Sequence, residues 1–253
     1  MDRILYTAMS GARQSMEQQA VVSNNLSNVS TTGFRAQLHA MRAVPVQGDG
    51  PLDTRVSVAA STPGSDFTSG PINRTGRALD VAVEGNGWLT VQAADGEAYS
   101  RRGDLQVDGD GILMTANGRP VMGEGGPIQI PLGAQVSIGA DGTISTIGAG
   151  EDPDALVPVD RLKLVSAPEQ GLLRGDDGLF RSAPGPEGEA PAVLPLDEEV
   201  SLVSGALEGS NVSAVEAMVS MIDVARRYEM QMKGISTADE NAQRANSLLS
   251  IQG

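Results

Sequence analysis

Three aspartates in Asp104-Leu105-Gln106-Val107-Asp108-Gly109-Asp110 form the most metal-like spacing in the sequence. A calcium loop usually carries Asp or Asn at its third position and needs a bidentate glutamate at its twelfth. Those positions hold Gln106 and Thr115, so the segment reads instead as hairpin turns. Paired carboxylates stand at Glu151/Asp152, Asp176/Asp177 and Glu198/Glu199. Sugar hydrolysis uses two carboxylates across a cleft, usually beside aromatic rings. With one Trp (Trp88) and three Tyr that platform is thin, and these acids read as solvated loop residues. His39 is the single histidine and lies in a polar stretch, where a surface or interface role fits better than catalysis. There is no Cys, which removes thiolate nucleophiles, disulfides and Cys-bound zinc or iron–sulfur clusters. Gly85-x-Gly87 is followed by Thr90 where a dinucleotide loop needs its third Gly, and the motifs GxxxxGK[ST] and GxSxG are absent. No catalytic residue, metal site or cofactor is therefore expected. Four Asn-x-Ser/Thr triplets, at Asn25, Asn28, Asn73 and Asn211, read as chance matches in a Ser- and Thr-rich chain.

The 253 residues include 18 Lys+Arg and 32 Asp+Glu, a net charge of −14. Nucleic-acid backbones and anionic membrane faces require clustered positive charge, so neither is an expected partner. No apolar run of about 18 residues exists to cross a membrane as a helix. The opening MDRILYTAMSGARQSMEQQA lacks the basic and apolar regions of a signal peptide. The protein is expected to stay in the cytoplasm or to leave by a route that cleaves no signal. Gly (31) and Pro (14) make up about 18% of the chain, against about 12% in average usage. Only seven residues are aromatic. Thin, elongated or partner-dependent packing is the expectation.

Composition divides the chain. All 14 prolines fall between residues 45 and 209, leaving two polar, proline-free ends. In the first, Ile4, Ala8, Ala12, Ser15, Gln19, Val22 and Leu26 recur in steps of three or four, the helical period. In the second, Val215, Met218, Ile222, Ala225, Tyr228, Met232, Ile235, Ala238, Ala242, Ala245 and Leu249 recur with a mean step of 3.4, near the coiled-coil value of about 3.5. Ser213-x-x-Glu216 reads as its capping box. Asp223/Arg227, Glu229/Lys233 and Glu240/Arg244 place acid four residues before base, the favourable order. A helix from 213 to 250 is about 57 Å long, with a narrow seam rich in Ala and Met. Either it folds onto its own sheet, or its seam is completed by the first helix and by neighbouring molecules. Soft Met side chains (Met218, Met221, Met230, Met232) suit a seam that tolerates more than one neighbour geometry, and equally suit core filling.

Between the ends, short Val/Ile/Leu runs alternate with Asn-Gly and Asp-Gly dipeptides, the turns of tight hairpins. Strands are predicted at 78–83, 87–92, 98–101, 104–107, 112–115, 119–122, 128–130, 135–138, 143–147, 159–165 and 179–182. The spacing predicts a meandering antiparallel sheet or small barrel.

Asn24-Asn25-Leu26-Ser27-Asn28-Val29-Ser30-Thr31-Thr32-Gly33-Phe34 resembles the N-terminal signature of the bacterial flagellar rod and hook axial proteins, with Ser27 replacing the usual Ala. Leu207-Glu208-Gly209-Ser210-Asn211-Val212, followed by Glu216-Ala217-Met218-Val219-x-Met221-Ile222, is similar to that family's C-terminal helix. Leu79-Asp80-Val81-Ala82-Val83-x-Gly85-Asn86-Gly87-Trp88 and Tyr99-x-Arg101-x-Gly103 match in the middle. The length, the first twelve residues and Arg226-Arg227-Tyr228-Glu229-Met230-Gln231-Met232-Lys233 resemble a proximal more than a distal rod member.

The resemblance implies an α+β fold. A terminal helical assembly domain comprises 1–33 plus 211–253, with the two helices paired as a coiled-coil-like layer. Extended connectors cover 34–77 and 184–210, and a mostly antiparallel β-rich outer domain covers 78–183. It implies a non-enzymatic rod subunit in the periplasmic space, exported by the flagellar type III apparatus without cleavage. Its partners are then copies of itself and other proximal and distal rod proteins. Asn24, Asn25, Leu26, Asn28, Thr31, Gly33 and Phe34 form the assembly signature, expected at the joint between helical and outer regions. Val215, Met218, Ile222, Ala225, Tyr228, Met232, Ile235 and Leu249 form the C-terminal seam. The competing readings are a distal rod protein and, in a different class, a secreted β-rich carbohydrate-binding protein or enzyme.

Overall fold

The structure is a computed structural model that describes residues 2–45, 56–148, 156–167, 171–183 and 192–250. Glu151 and Asp152 lie outside the described residues. The fold is α+β. Helix α1 (Asp2–Ser27) precedes and α2 (Ala214–Ser250) follows a run of short strands. These are β1 (Gln37–Pro45), β2 (Val56–Ser65), β3 (Ile72–Arg74), β4 (Val81–Val83), β5 (Gly87–Ala93), β6 (Gly96–Ser100), β7 (Leu105–Val107) and β8 (Leu113–Thr115). Then come β9 (Gln135–Ile138), β10 (Thr143–Ile147), β11 (Val157–Arg161), β12 (Leu164–Ser166), β13 (Leu172–Arg174), β14 (Phe180–Ser182), β15 (Leu202–Ser204) and β16 (Ala206–Glu208). The chain forms two compact units. The helical unit draws on Met1–Asn28, Gln37–Gly64 and Val212–Gly253, the outer unit on Val29–Ala36 and Ser65–Asn211.

In the helical unit, Gly11 and Ser15 meet Gln231, while Ser15 and Gln19 share a groove with Val224 and Tyr228. Rising numbers on α1 meet falling numbers on α2, so the helices run antiparallel. The α1 stripe from Ala8 to Leu26 is buried or half-buried as its spacing predicts. Ser213 caps α2, its hydroxyl accepting the Glu216 N–H at 3.4 Å. Of the three acid–base pairs on α2, Glu240–Arg244 closes, at 3.7 Å. Strands β1 and β2 pair with each other, and β1 packs on α1. There the Gln14 amide nitrogen lies 3.0 Å from His39 Nε2, which gives the single histidine an interface position.

The outer unit holds a five-stranded sheet ordered β12-β5-β6-β14-β13, a three-stranded sheet β11-β10-β9, and the pairs β15-β4, β16-β3 and β7-β8. The pairings in this unit are antiparallel. Asp95-Gly96, Asp110-Gly111, Asp141-Gly142 and Asp177-Gly178 close four hairpins, and the calcium-like segment is the β7–β8 turn, with Asp104 bonded to Arg102. The stretches read as connectors, 34–77 and 184–210, carry β1, β2, β3, β15 and β16. Of these, β16 pairs with β3 and β15 with β4 across more than a hundred residues, so no local turn announces β3, β15 or β16. The packing is also fuller than the aromatic count predicts. One core is aliphatic, from Val81, Leu89 and Val91 through Leu113, Ile128 and Ile144 to Leu162 and Leu202. A second concentrates four of the seven aromatics: the Trp88 ring lies tilted against Phe180, centroids 4.8 Å apart, and edge-to-face with Phe67 at 5.9 Å, beside buried Tyr99. Branched aliphatics fill the first, so a few rings suffice for the second.

Candidate assembly site

The Asn-rich signature begins where α1 ends. Asn28 donates its backbone N–H (3.2 Å) and its amide (2.9 Å) to the Asn24 carbonyl, and the Ser27 hydroxyl donates to the same oxygen at 2.8 Å. These bonds occupy a carbonyl that a helix end leaves without an intrahelical partner. Asn25 instead reaches β1. Its side-chain oxygen accepts the Gln37 N–H and its amide donates to the Gln37 carbonyl, both at 2.9 Å. One carboxamide thus plays the part of a neighbouring strand. Leu26 is half-buried.

Beyond Asn28 the signature enters the outer unit. The Phe34 N–H closes a turn onto the Thr31 carbonyl at 3.3 Å, with Gly33 at φ +64°. That backbone region disfavours any residue with a Cβ. A Cβ on Gly33 would also sit 2.4 Å from the carbonyl carbon and oxygen of Arg101. Phe34 is buried, with the Arg174 guanidinium 4.5 Å from its ring centroid.

Residues that spacing did not single out complete this segment. The side chains of Arg35, Arg101 and Glu208 are each at most 1% exposed. Arg35 Nη1 lies 2.7 Å from Glu208 Oε1, and Arg101 Nη1 lies 3.3 Å from Glu208 Oε2. Arg101 also donates to the carbonyls of Val83 (2.6 Å) and Gly85. Burial pushes the Arg101 guanidinium down to about 10; Glu208 opposes that shift and Arg35 adds to it. Asn211 bonds three backbone groups, accepting the Ala36 N–H at 2.7 Å and donating to the carbonyls of Asp66 (2.9 Å) and Thr68 (3.0 Å). Arg101, Glu208 and Asn211 stand inside recognisable motifs, but a motif does not say that its charged members are buried against one another.

On α2 the residues facing α1 are Ala217, Met221, Val224, Tyr228, Gln231, Ile235, Ala238 and Ala242, alternating steps of four and three. Of the expected seam, Tyr228 and Ile235 belong to this set. Val215 (69%), Met218 (48%), Ile222 (54%) and Met232 (43%) are exposed, as is Ala225. The side chain of Leu249 lies outside the described residues. From Val215 to Ala225 the seam read from spacing lies one residue, about 100°, round the helix from this buried row, and at Tyr228, Ile235, Ala238 and Ala242 the two coincide. Its exposed part, Val215, Met218, Ile222 and Ala225 with Met232, is a second apolar stripe left open in the single chain. It borders a groove of about 310 Å³ lined by Ser15, Met16, Gln19, Val224, Ala225 and Tyr228. Tyr6, Met9 and Met16 are exposed on α1.

Among the described residues, no group of three or more His, Asp or Glu could hold a metal ion, and no helix is long and apolar enough to cross a membrane. Paired terminal helices with an open apolar face, enclosing a β unit in sequence, define a class: subunits of an extended assembly. Three family models match, described as "Flagella basal body rod protein" over residues 5–35, "Flagellar hook protein FlgE/F/G D1 domain" over 82–146 and "Flagellar basal body rod FlgEFG protein C-terminal" over 203–248. The flagellar basal-body rod protein FlgF of Salmonella typhimurium is 55% identical, covering 99% of this chain and 100% of its own. FlgF of Escherichia coli is 54% identical over the same shares. The rod protein FlgG of Agrobacterium fabrum is 33% identical over 95% of this chain and 97% of its own. The chain belongs to the flagellar basal-body rod protein family and is FlgF-like, a structural rod subunit. The distal-rod and carbohydrate-active readings are not favoured by these matches.

Proposed function

We propose that this rod subunit assembles with copies of itself and with other rod proteins through the open face of its helix pair. The carrying observation is the row Val215, Met218, Ile222 and Met232, all at least 43% exposed on one side of α2. Large apolar side chains gathered on one side of a helix mark a surface that is covered in the working state. The groove beside them has small residues, Ser15 and Ala225, in its lining, which supports close approach of another helix. A face that docks on a different face of the next copy generates an open helical stack, not a closed ring. Contacts repeated among many copies then resist twisting, which is how the rod passes motor torque toward the hook.

In this reading 1–33 and 211–253 form the assembly layer, 34–77 and 184–210 connect, and 78–183 is the outer domain. The signature Asn24 to Phe34 sets the joint. The protein has no catalytic role, leaves the cytoplasm through the flagellar export apparatus without cleavage, and works in the periplasmic part of the basal body. Ile222→Asp tests the proposal. The exposed position leaves the monomer folded, with unfolding of the Trp88 core unchanged, while the subunit disappears from purified basal bodies and swimming stops. Normal swimming with the variant incorporated would refute it.

A further inference from the structure

We infer that Glu208 and Asn211 are positioning residues that fasten all four backbone crossings into the outer unit to one knot. The backbone passes between the two units at 28/29, 36/37, 64/65 and 211/212. Within six residues of each crossing, on the outer-unit side, a group is bonded to Glu208 or Asn211. After the first, the Gly33 N–H donates to the Glu208 carbonyl at 2.8 Å. Before the second, Ala36 N–H donates to the Asn211 side chain and Arg35 pairs with the Glu208 carboxylate. After the third, the carbonyls of Asp66 and Thr68 accept from Asn211, and Gly70 N–H donates to Glu208 Oε1 at 3.0 Å. The fourth crossing follows Asn211 itself, whose N–H donates to the Phe34 carbonyl at 3.3 Å. Arg35 Nη1 doubles the link by donating to the Thr68 carbonyl at 2.8 Å.

The chemistry suits a mechanical joint. The carboxylate is buried with two guanidiniums, so any displacement of one crossing separates charges where water cannot replace the partner. An apolar contact would slide; a carboxylate held by two cations and a backbone N–H has one geometry. Force entering along one crossing is therefore shared with the other three. This inference does not depend on which face the helices use for docking.

Hydrogen exchange on the full-length protein tests it, with Glu208→Gln and Asn211→Ala. Each variant is expected to speed exchange in 29–36, 65–70 and 206–211 together, including amides not bonded to the altered residue, while β5 and β6 stay protected. The expected acceleration is about a hundredfold for Asn211→Ala, which removes hydrogen bonds to three backbone groups and to the Thr68 hydroxyl, and at least as large for Glu208→Gln, which takes the carboxylate from two buried guanidiniums. Lys163→Met, which breaks the 2.7 Å Lys163–Glu97 pair on the five-stranded sheet, should leave the three segments unchanged. Two results would overturn the knot. One is acceleration confined to the altered residue's own partners; the other is loss of protection spread equally through β5 and β6, unfolding of either variant included.

Discussion

Gly33→Ala and Gly85→Ala together separate backbone strain from crowding. Both glycines are left-handed, at φ +64° and +60°. Putting an L side chain there costs about 1–2 kcal/mol at either position. Their surroundings differ. A Cβ on Gly85 meets nothing within 4 Å, whereas one on Gly33 meets Arg101 C and O at 2.4 Å and Arg102 N at 2.7 Å. Those atoms are backbone and cannot swing aside as a side-chain end would. The turn and the Arg101 strand end must part by about 1 Å, an overpacking cost of about 1–3 kcal/mol. The same movement stretches the 2.8 Å Gly33–Glu208 bond beside the buried charges. Gly33→Ala is therefore expected to cost about 3 kcal/mol and Gly85→Ala about 1 kcal/mol. Trp88, 3% exposed and the only Trp, reports unfolding of the outer unit by fluorescence in urea. The denaturant slope should stay constant and the midpoints should separate. Equal midpoints for the two variants would refute the crowding account.

Two further outcomes are expected. Val224, 1% exposed where α2 faces α1, loses about 1–2 kcal/mol of helix-pair stability as Val224→Ala, seen as earlier loss of far-ultraviolet helical signal on heating. Arg181 binds both Asp95 and Asp177, and its hydrogen bonds hold both carboxyls below the ordinary value of 3.8. A depressed folded-state carboxyl contributes stability above its unfolded value and loses it as pH falls through the folded one. Arg181→Met should thus lower stability by a constant amount above about pH 4, with the gap to wild type closing on further acidification. Urea midpoints across pH 2–7 check this, and a gap that persists at the acid end would contradict it.

Local pattern made much of this protein legible. The α1 stripe, the Ser213 cap on α2 and the Asp-Gly hairpins each depend on neighbours a few residues away, and each stands where the sequence puts it. Gly33 is of the same kind, because a turn after a helix needs a residue without Cβ. The α2 seam is not. Spacing revealed an apolar stripe through Val215, Met218 and Ile222, but α2 carries another one residue round through Ala217, Met221 and Val224. Both have the helical period, and only packing against α1 decides which is buried. Strands β3, β4, β15 and β16 pair across more than a hundred residues without a turn to mark them. Glu208 shows the limit most clearly. In sequence it is one of 32 acids in a strongly negative chain. Burial between Arg35 and Arg101 turns it from a solvated charge into a fastening. Periodicity and turn chemistry determine elements; which charges lose their water is decided only when distant segments meet.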